Sequence, residues 1–211
     1  MFTPQLAVLG AGLMGVGIAC HFARHGHTVR LYDTDPARVS EIPGVAAAIL
    51  RELEECEQFD AAQRTAVLSR LSGTTALGDL ADATLLIEAI PERLALKHAL
   101  YRELETLIAD EAIIASNTSG LPPDRLAQGM RHPERLLIAH FWHPPHFIPL
   151  VEVVPGSATL PHLANQVSDF LSSCSLEAVV LNRAAPGFVG NRLQFALLRE
   201  AQIGRASCRE R

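Results

Sequence analysis

At 211 residues, with 48% hydrophobic and 19% charged residues, the chain is a globular protein long enough to bury a full core. Its formal net charge of −5 argues against nucleic acid and acidic membranes as partners, and no apolar run reaches membrane-spanning length. Four scattered cysteines (Cys20, Cys56, Cys174, Cys208) form no C-x-x-C pair, and the start lacks a basic signal-peptide region, so reduced thiols in a cytoplasmic protein are expected.

The apolar run Leu6 to Leu9 enters Gly10-Ala11-Gly12-Leu13-Met14-Gly15, and a helical pattern follows through Ile18, Ala19 and Phe22 to Gly26. Thr28 to Tyr32 is a second strand, ending on Asp33, 18 residues after Gly15. A Gly-x-Gly-x-x-Gly turn between strand and helix, with an acid at this distance, is a dinucleotide site. Gly10 permits the tight turn, Gly12 lets backbone N–H groups approach a pyrophosphate, and Gly15 lets helix and strand pack closely. The helix N-terminus presents partial positive charge to phosphates. Asp33 can accept from an adenosine ribose hydroxyl, which favours NAD over NADP. The nearest loop arginine, Arg38, is not immediately adjacent to it in sequence.

Beyond Asp33, Arg38 to Glu57 and Ala61 to Leu71 read as two helical segments, a long excursion between strands. Thr74 to Leu77 is a short strand candidate and Thr84 to Ala89 a strong one. Arg93 to Ala109 reads as a helix, and Ala112 to Ser116, Leu136 to Phe141, Leu150 to Val154 and Leu176 to Leu181 as strands. A further helix spans about Leu160 to Cys174. Strands alternating with helices predict a Rossmann-like, doubly wound, mainly parallel α/β sheet. Gly187 to Gln202 starts one more helix, but Ile203 to Arg211 has no apolar periodicity. Back-translated as ATC GGA AGA GCG TCG TGT AGG GAA AGA, that tail reads like a sequencing adapter, and the natural gene is expected to continue differently after about Gln202.

Two stretches carry further chemistry. His140 closes one strand and Glu152 lies in the next, so paired strands could bring carboxylate and imidazole together as a general acid/base. A core histidine bonded to a carbonyl, with Glu152 on a solvated face, satisfies the same spacing. His140, His143 and His146 do not form a metal site: Pro144 and Pro145 break any helix that would align the rings, and the loop adds no carboxylate or cysteine. Asn117 and Ser119 follow a buried strand, where a hydroxyl could meet a substrate oxygen or simply cap a turn. Glu92 and the only lysine, Lys97, begin the next helix as surface charges or ligand contacts.

GAGLMG, Asp33, EAIPE-x4-K, SNTS, H-F-x-x-P…LVEVV and Pro186-Gly187-Phe188-Val189-Gly190-Asn191-Arg192-Leu193 occur in one order. This set resembles the L-3-hydroxyacyl-CoA dehydrogenase family from Leu6 to about Leu198. The resemblance implies that His140 exchanges the substrate hydroxyl proton, with Glu152 orienting it and Ser119 and Asn191 holding substrate oxygens. It implies NAD contacts at Gly10, Gly12, Leu13, Met14, Gly15, Asp33, Glu92, Lys97 and Asn117. An NAD-binding domain at 1–185 would be followed by the first helix (186–202) of a missing all-α domain that closes the site and forms a homodimer, then the artefactual tail (203–211).

Two features depart from the family. His143 stands where an asparagine is usual, and Glu52, Glu54, Glu55 and Glu57 occupy an excursion that usually carries lysines for coenzyme A. An L-3-hydroxyacyl-CoA is the leading expected substrate. A free 3-hydroxy acid of the carnitine or gulonate type is the alternative, and a non-catalytic NAD-binding protein is a third reading.

Overall fold

Short apolar runs joined by amphipathic segments form parallel neighbours, since a parallel pair needs a crossover rather than a tight turn. The computed structural model describes residues 2–208, with side chains through Gln202. In chain order the elements are β1 (Leu6–Leu9), α1 (Leu13–Arg24), β2 (Val29–Tyr32), α2 (Pro36–Glu55), α3 (Arg64–Leu68), β3 (Leu71–Thr74) and β4 (Leu85–Glu88). There follow α4 (Leu94–Leu104), β5 (Ile113–Ser116), α5 (Pro123–Leu126), β6 (Leu136–Phe141), β7 (Leu150–Pro155), α6 (Pro161–Ser173), β8 (Glu177–Val180) and α7 (Gly190–Cys208).

The eight strands make one sheet in the order β3-β2-β1-β4-β5-β6-β7-β8, parallel throughout except between β6 and β7. Residues alternate across it. Leu6, Val8, Leu31, Leu85, Ile87 and Ala115 face a core closed by α1, α2 and α6. Ala7, Leu9, Leu86 and Ile114 face a second core with Tyr101 and Leu104 of α4. Both faces are covered, which is why β1, β4, β5 and β6 are apolar almost without interruption. The order reverses between β1 and β4, and a crevice opens beyond the carboxyl ends of these strands. Among the described residues no helix is long and apolar enough to cross a membrane.

Three expectations are corrected at the element level. The strand placed at Thr74 to Leu77 lies earlier, at Leu71–Thr74, where it pairs with β2, and Leu77–Leu80 is a 3-10 turn. The segment Ala61 to Leu71 is not one helix: Asp60 caps a 3-10 turn at Ala61–Gln63, and only Arg64–Leu68 is α-helical. The last helix runs past Gln202 to Cys208, because Gly204 weakens a helix by only about 1 kcal/mol and no proline ends it. The end of the expected artefactual tail, residues 209–211, lies outside the described residues.

Candidate active site

The glycine turn is dictated by contacts. Gly10 has φ +104°, and a Cβ there would lie 2.8 Å from the Ala89 carbonyl oxygen. A Cβ on Gly15 would sit 1.8 Å from the Gly10 oxygen, so α1 packs against its own turn only with glycine at that position. Gly12 begins α1 without a side-chain cap, leaving the first N–H groups of the helix facing the crevice.

Asp33, at the end of β2, holds this turn in place. Its Oδ2 accepts from Ala11 N at 2.8 Å and its Oδ1 from Asp35 N at 3.0 Å. The fold also brings in Arg38, which its distance in sequence had set aside. Its guanidinium lies 3.9 Å from the Asp33 carboxylate and borders Gly12. The helical start of α2 at Pro36 turns the chain back toward the glycine turn, and sequence separation cannot report that. Together these groups and an apolar wall of Ile90, Pro91, Leu96 and Leu100 enclose a cleft of about 390 Å³. A bare glycine turn, an uncapped helix start, a carboxylate and an apolar wall fit a dinucleotide: phosphates at the turn, ribose at the acid, base against the wall.

Ala89 and Ile90 join this cleft to a second of about 440 Å³, lined by Met14, Asn117, Ser119, His140, Trp142, His143 and Asn191. The antiparallel pairing of β6 with β7 sets His140 directly opposite Glu152. His140 Nδ1 donates to Glu152 Oε2 at 2.9 Å, and the pair is buried. The solvated-face reading of Glu152 is thereby excluded. Its other oxygen accepts from Val189 N at 2.9 Å and Gly190 N at 3.0 Å, at the entry to α7. A carboxylate can only accept, so His140 carries its proton on Nδ1 and leaves Nε2 as the free ring nitrogen at the cleft. The rings of Trp142 and Phe188 flank it, with centroids 5.3 and 5.6 Å away.

The other predicted residues converge here. Asn117 Oδ1 accepts from Phe141 N at 2.8 Å, tying β5 to the end of β6. Ser119 is exposed at the cleft, and Asn191 Nδ2 donates to its carbonyl at 3.2 Å. Met14 lines the same space, while Leu13 is exposed on the first turn of α1.

Residues 5–184 match the model of the 3-hydroxyacyl-CoA dehydrogenase NAD-binding domain. The chain belongs to the 3-hydroxyacyl-CoA dehydrogenase family. Its cofactor is NAD, held by this domain. Over 93% of its length it is 38% identical to 5-formyl-3-hydroxy-2-methylpyridine 4-carboxylate 5-dehydrogenase of Mesorhizobium japonicum, covering 63% of that protein. It is 34% identical to L-carnitine dehydrogenase of Oceanobacillus iheyensis, again over 93% of this chain and 63% of the relative. The solved structure of 3-hydroxybutyryl-CoA dehydrogenase from Escherichia coli matches with a TM-score of 0.84 and 33% identity, over 90% of this chain and 40% of that one. The chain thus spans about three fifths of the length of the curated relatives it matches.

Lys97, a position that the family resemblance assigns to the cofactor, sits below the surface. Lys97 is 1% exposed and lines neither cleft. Its ammonium is held by Glu88, a buried residue at the end of β4 that reads in sequence only as part of an apolar strand. Glu92 does reach the second cleft.

Proposed function

We propose that the protein is an NAD-dependent dehydrogenase that oxidises the hydroxyl of a small free hydroxy acid, with His140 as the proton acceptor. The buried His140–Glu152 pair carries this reading. Nδ1 is committed to the carboxylate, so Nε2 takes the hydroxyl proton while Glu152 stabilises the resulting imidazolium. Ser119 and Asn191, neighbours in the lining of the same cleft, hold the substrate oxygens. When bound, NAD supplies the hydride acceptor, and Gly10, Gly12, Leu13, Met14, Gly15, Asp33 and Asn117 orient it.

Charge favours a free acid over a coenzyme A ester. The end of α2 presents Glu52, Glu55 and, just beyond it, Glu57 to solvent, and Glu52 meets His146 at 3.2 Å in the loop beside the cleft. An anionic nucleotide handle would approach like charge there. Two relatives matched along nearly the whole chain are named for a pyridine carboxylate and for carnitine, both free acids. The coenzyme A ester reading is favoured by the family's own description and by the E. coli neighbour.

Exposed Leu193, Phe195, Leu197 and Leu198 support α7 as the opening of a helical domain that completes the relatives' length and makes a dimer in the full-length protein. The deciding assay follows NADH formation with L-carnitine, L-gulonate and 3-hydroxybutyryl-CoA. Turnover of an acid but not the ester is expected; turnover confined to the ester would reverse the substrate assignment. His140→Ala should abolish turnover while NADH still quenches Trp142, the chain's one tryptophan. Unchanged turnover would remove His140 from the reaction.

A further inference from the structure

A fully buried carboxylate persists only when its lone pairs are filled. At Glu88 they are. Lys97 Nζ donates to its two oxygens at 2.6 and 2.9 Å, the Tyr101 and Ser116 hydroxyls each at 2.6 Å, and Ile90 N at 2.9 Å. Burial and the neighbouring carboxylate push the Tyr101 phenol well above its ordinary range, so it stays a donor. The same ammonium reaches Glu92 Oε2 at 3.4 Å. The other oxygen of Glu92 accepts from the Thr118 hydroxyl and from the backbone N–H groups of Ser119 and Gly120, at 3.2 and 3.3 Å. Contacts therefore run without a break from the end of β4, through Lys97 and Glu92, to the turn that carries Ser119.

We propose that Glu92 is a positioning residue: Lys97, locked by Glu88, orients it, and its Oε1 sets the 118–120 turn that presents Ser119 to the substrate. The proposal rests on Ser119 as the substrate contact. It gives Lys97 a structural tie and explains the choice of residue. A compact ammonium aims three donors tetrahedrally, here at two Glu88 oxygens and one of Glu92, whereas a guanidinium spreads its five donors in one plane on a bulkier group. Lys97 is the single lysine of a chain whose other fixed positive charges are arginines. No helix or ladder holds these N–H groups: Ser119 N bonds to the Glu92 oxygen, and Gly120 N shares its bond between that oxygen and Thr118 Oγ1 at 3.4 Å.

The test compares Glu92→Ala and Glu92→Gln with the parent. Glu92 is 42% exposed on its side chain, so neither change empties the core. Loss of one charge-assisted acceptor should raise amide exchange at Ser119 and Gly120 about tenfold and KM for the hydroxy acid by a similar factor. Affinity for NADH, read from Trp142 quenching in the same variants, separates a role in the turn from a direct contact with the cofactor. The Gln variant keeps an oxygen for the turn but sets its NH2 group against the Lys97 ammonium, so it should recover protection and KM only in part. Unchanged exchange in Glu92→Ala would overturn the proposal. So would a tenfold weaker hold on NADH with exchange and KM unmoved, which would make Glu92 a cofactor contact. Ser119→Ala judges the underlying reading separately: an unchanged KM would remove Ser119 from the substrate, while the exchange response of Glu92→Ala still decides the tie.

Discussion

Replacing Glu152 by glutamine changes one atom, and its surroundings determine which way the amide faces. Val189 N and Gly190 N both point at Oε1, from 2.9 and 3.0 Å. Turning the NH2 group toward them would oppose donor to donor and strand two peptide N–H groups, each costing about 1–3 kcal/mol. The amide oxygen therefore stays at Oε1, and the NH2 group faces His140 Nδ1, which must then accept. The imidazole proton moves to Nε2, the nitrogen that has to take up the substrate proton. A wrong tautomer held by an intact hydrogen bond lowers kcat by about 10⁴, or about 5 kcal/mol, in a triad whose orienting carboxylate is amidated. The same loss is expected here, with Trp142 quenching by NADH and thermal stability close to the parent's. Glu152→Ala should differ, because it strands both N–H groups and loosens the entry to α7 as well. Stopped-flow measurement of NADH formation checks this. A Glu152→Gln variant retaining a tenth or more of the parent rate would refute the tautomer argument.

Other outcomes follow from single contacts. Arg38→Ala should weaken NADH binding about fivefold in a fluorescence titration, since the guanidinium borders both Asp33 and the phosphate turn; an unchanged affinity would place it outside the cofactor site. Gly15→Ala has no room beside the Gly10 oxygen, 1.8 Å away, and should abolish NADH binding and lower the melting temperature; a binding-competent variant would contradict the close packing of that turn. Burial beneath α6 pulls His21 down from its ordinary 6.5 to about 4, against the bond from its Nε2 to the Cys174 carbonyl. The depressed value means the unfolded chain binds the proton first. About 3 kcal/mol of stability is therefore complete above pH 6.5, is lost as pH falls toward 4, and is constant below. His21→Gln should flatten that part of a urea-denaturation pH series, and an unaltered slope would clear His21 of the effect.

The parallel sheet, the glycine turn and the order of the site motifs were all legible in the sequence, because each is local or periodic. Gly10, Gly12, Gly15 and Asp33 act through the backbone of one βαβ unit, and its dimensions fix their spacing. The pairing of His140 with Glu152 was legible as a possibility, since adjacent strands have few registers, but only the antiparallel β6–β7 ladder excluded a solvated Glu152. The rest depended on side chains from distant elements meeting in three dimensions. Arg38 reaches the cleft because α2 folds back over the glycine turn. Glu88 reads as part of an apolar run because its partners, Lys97, Tyr101 and Ser116, come from α4 and β5. Lys97, an exposed charge by residue type, is buried because a buried carboxylate whose one near neighbour in sequence, Ile90 N, is a neutral donor needs an ammonium beside it. Sequence periodicity determined which faces are apolar; the tertiary structure alone decided which buried charges meet.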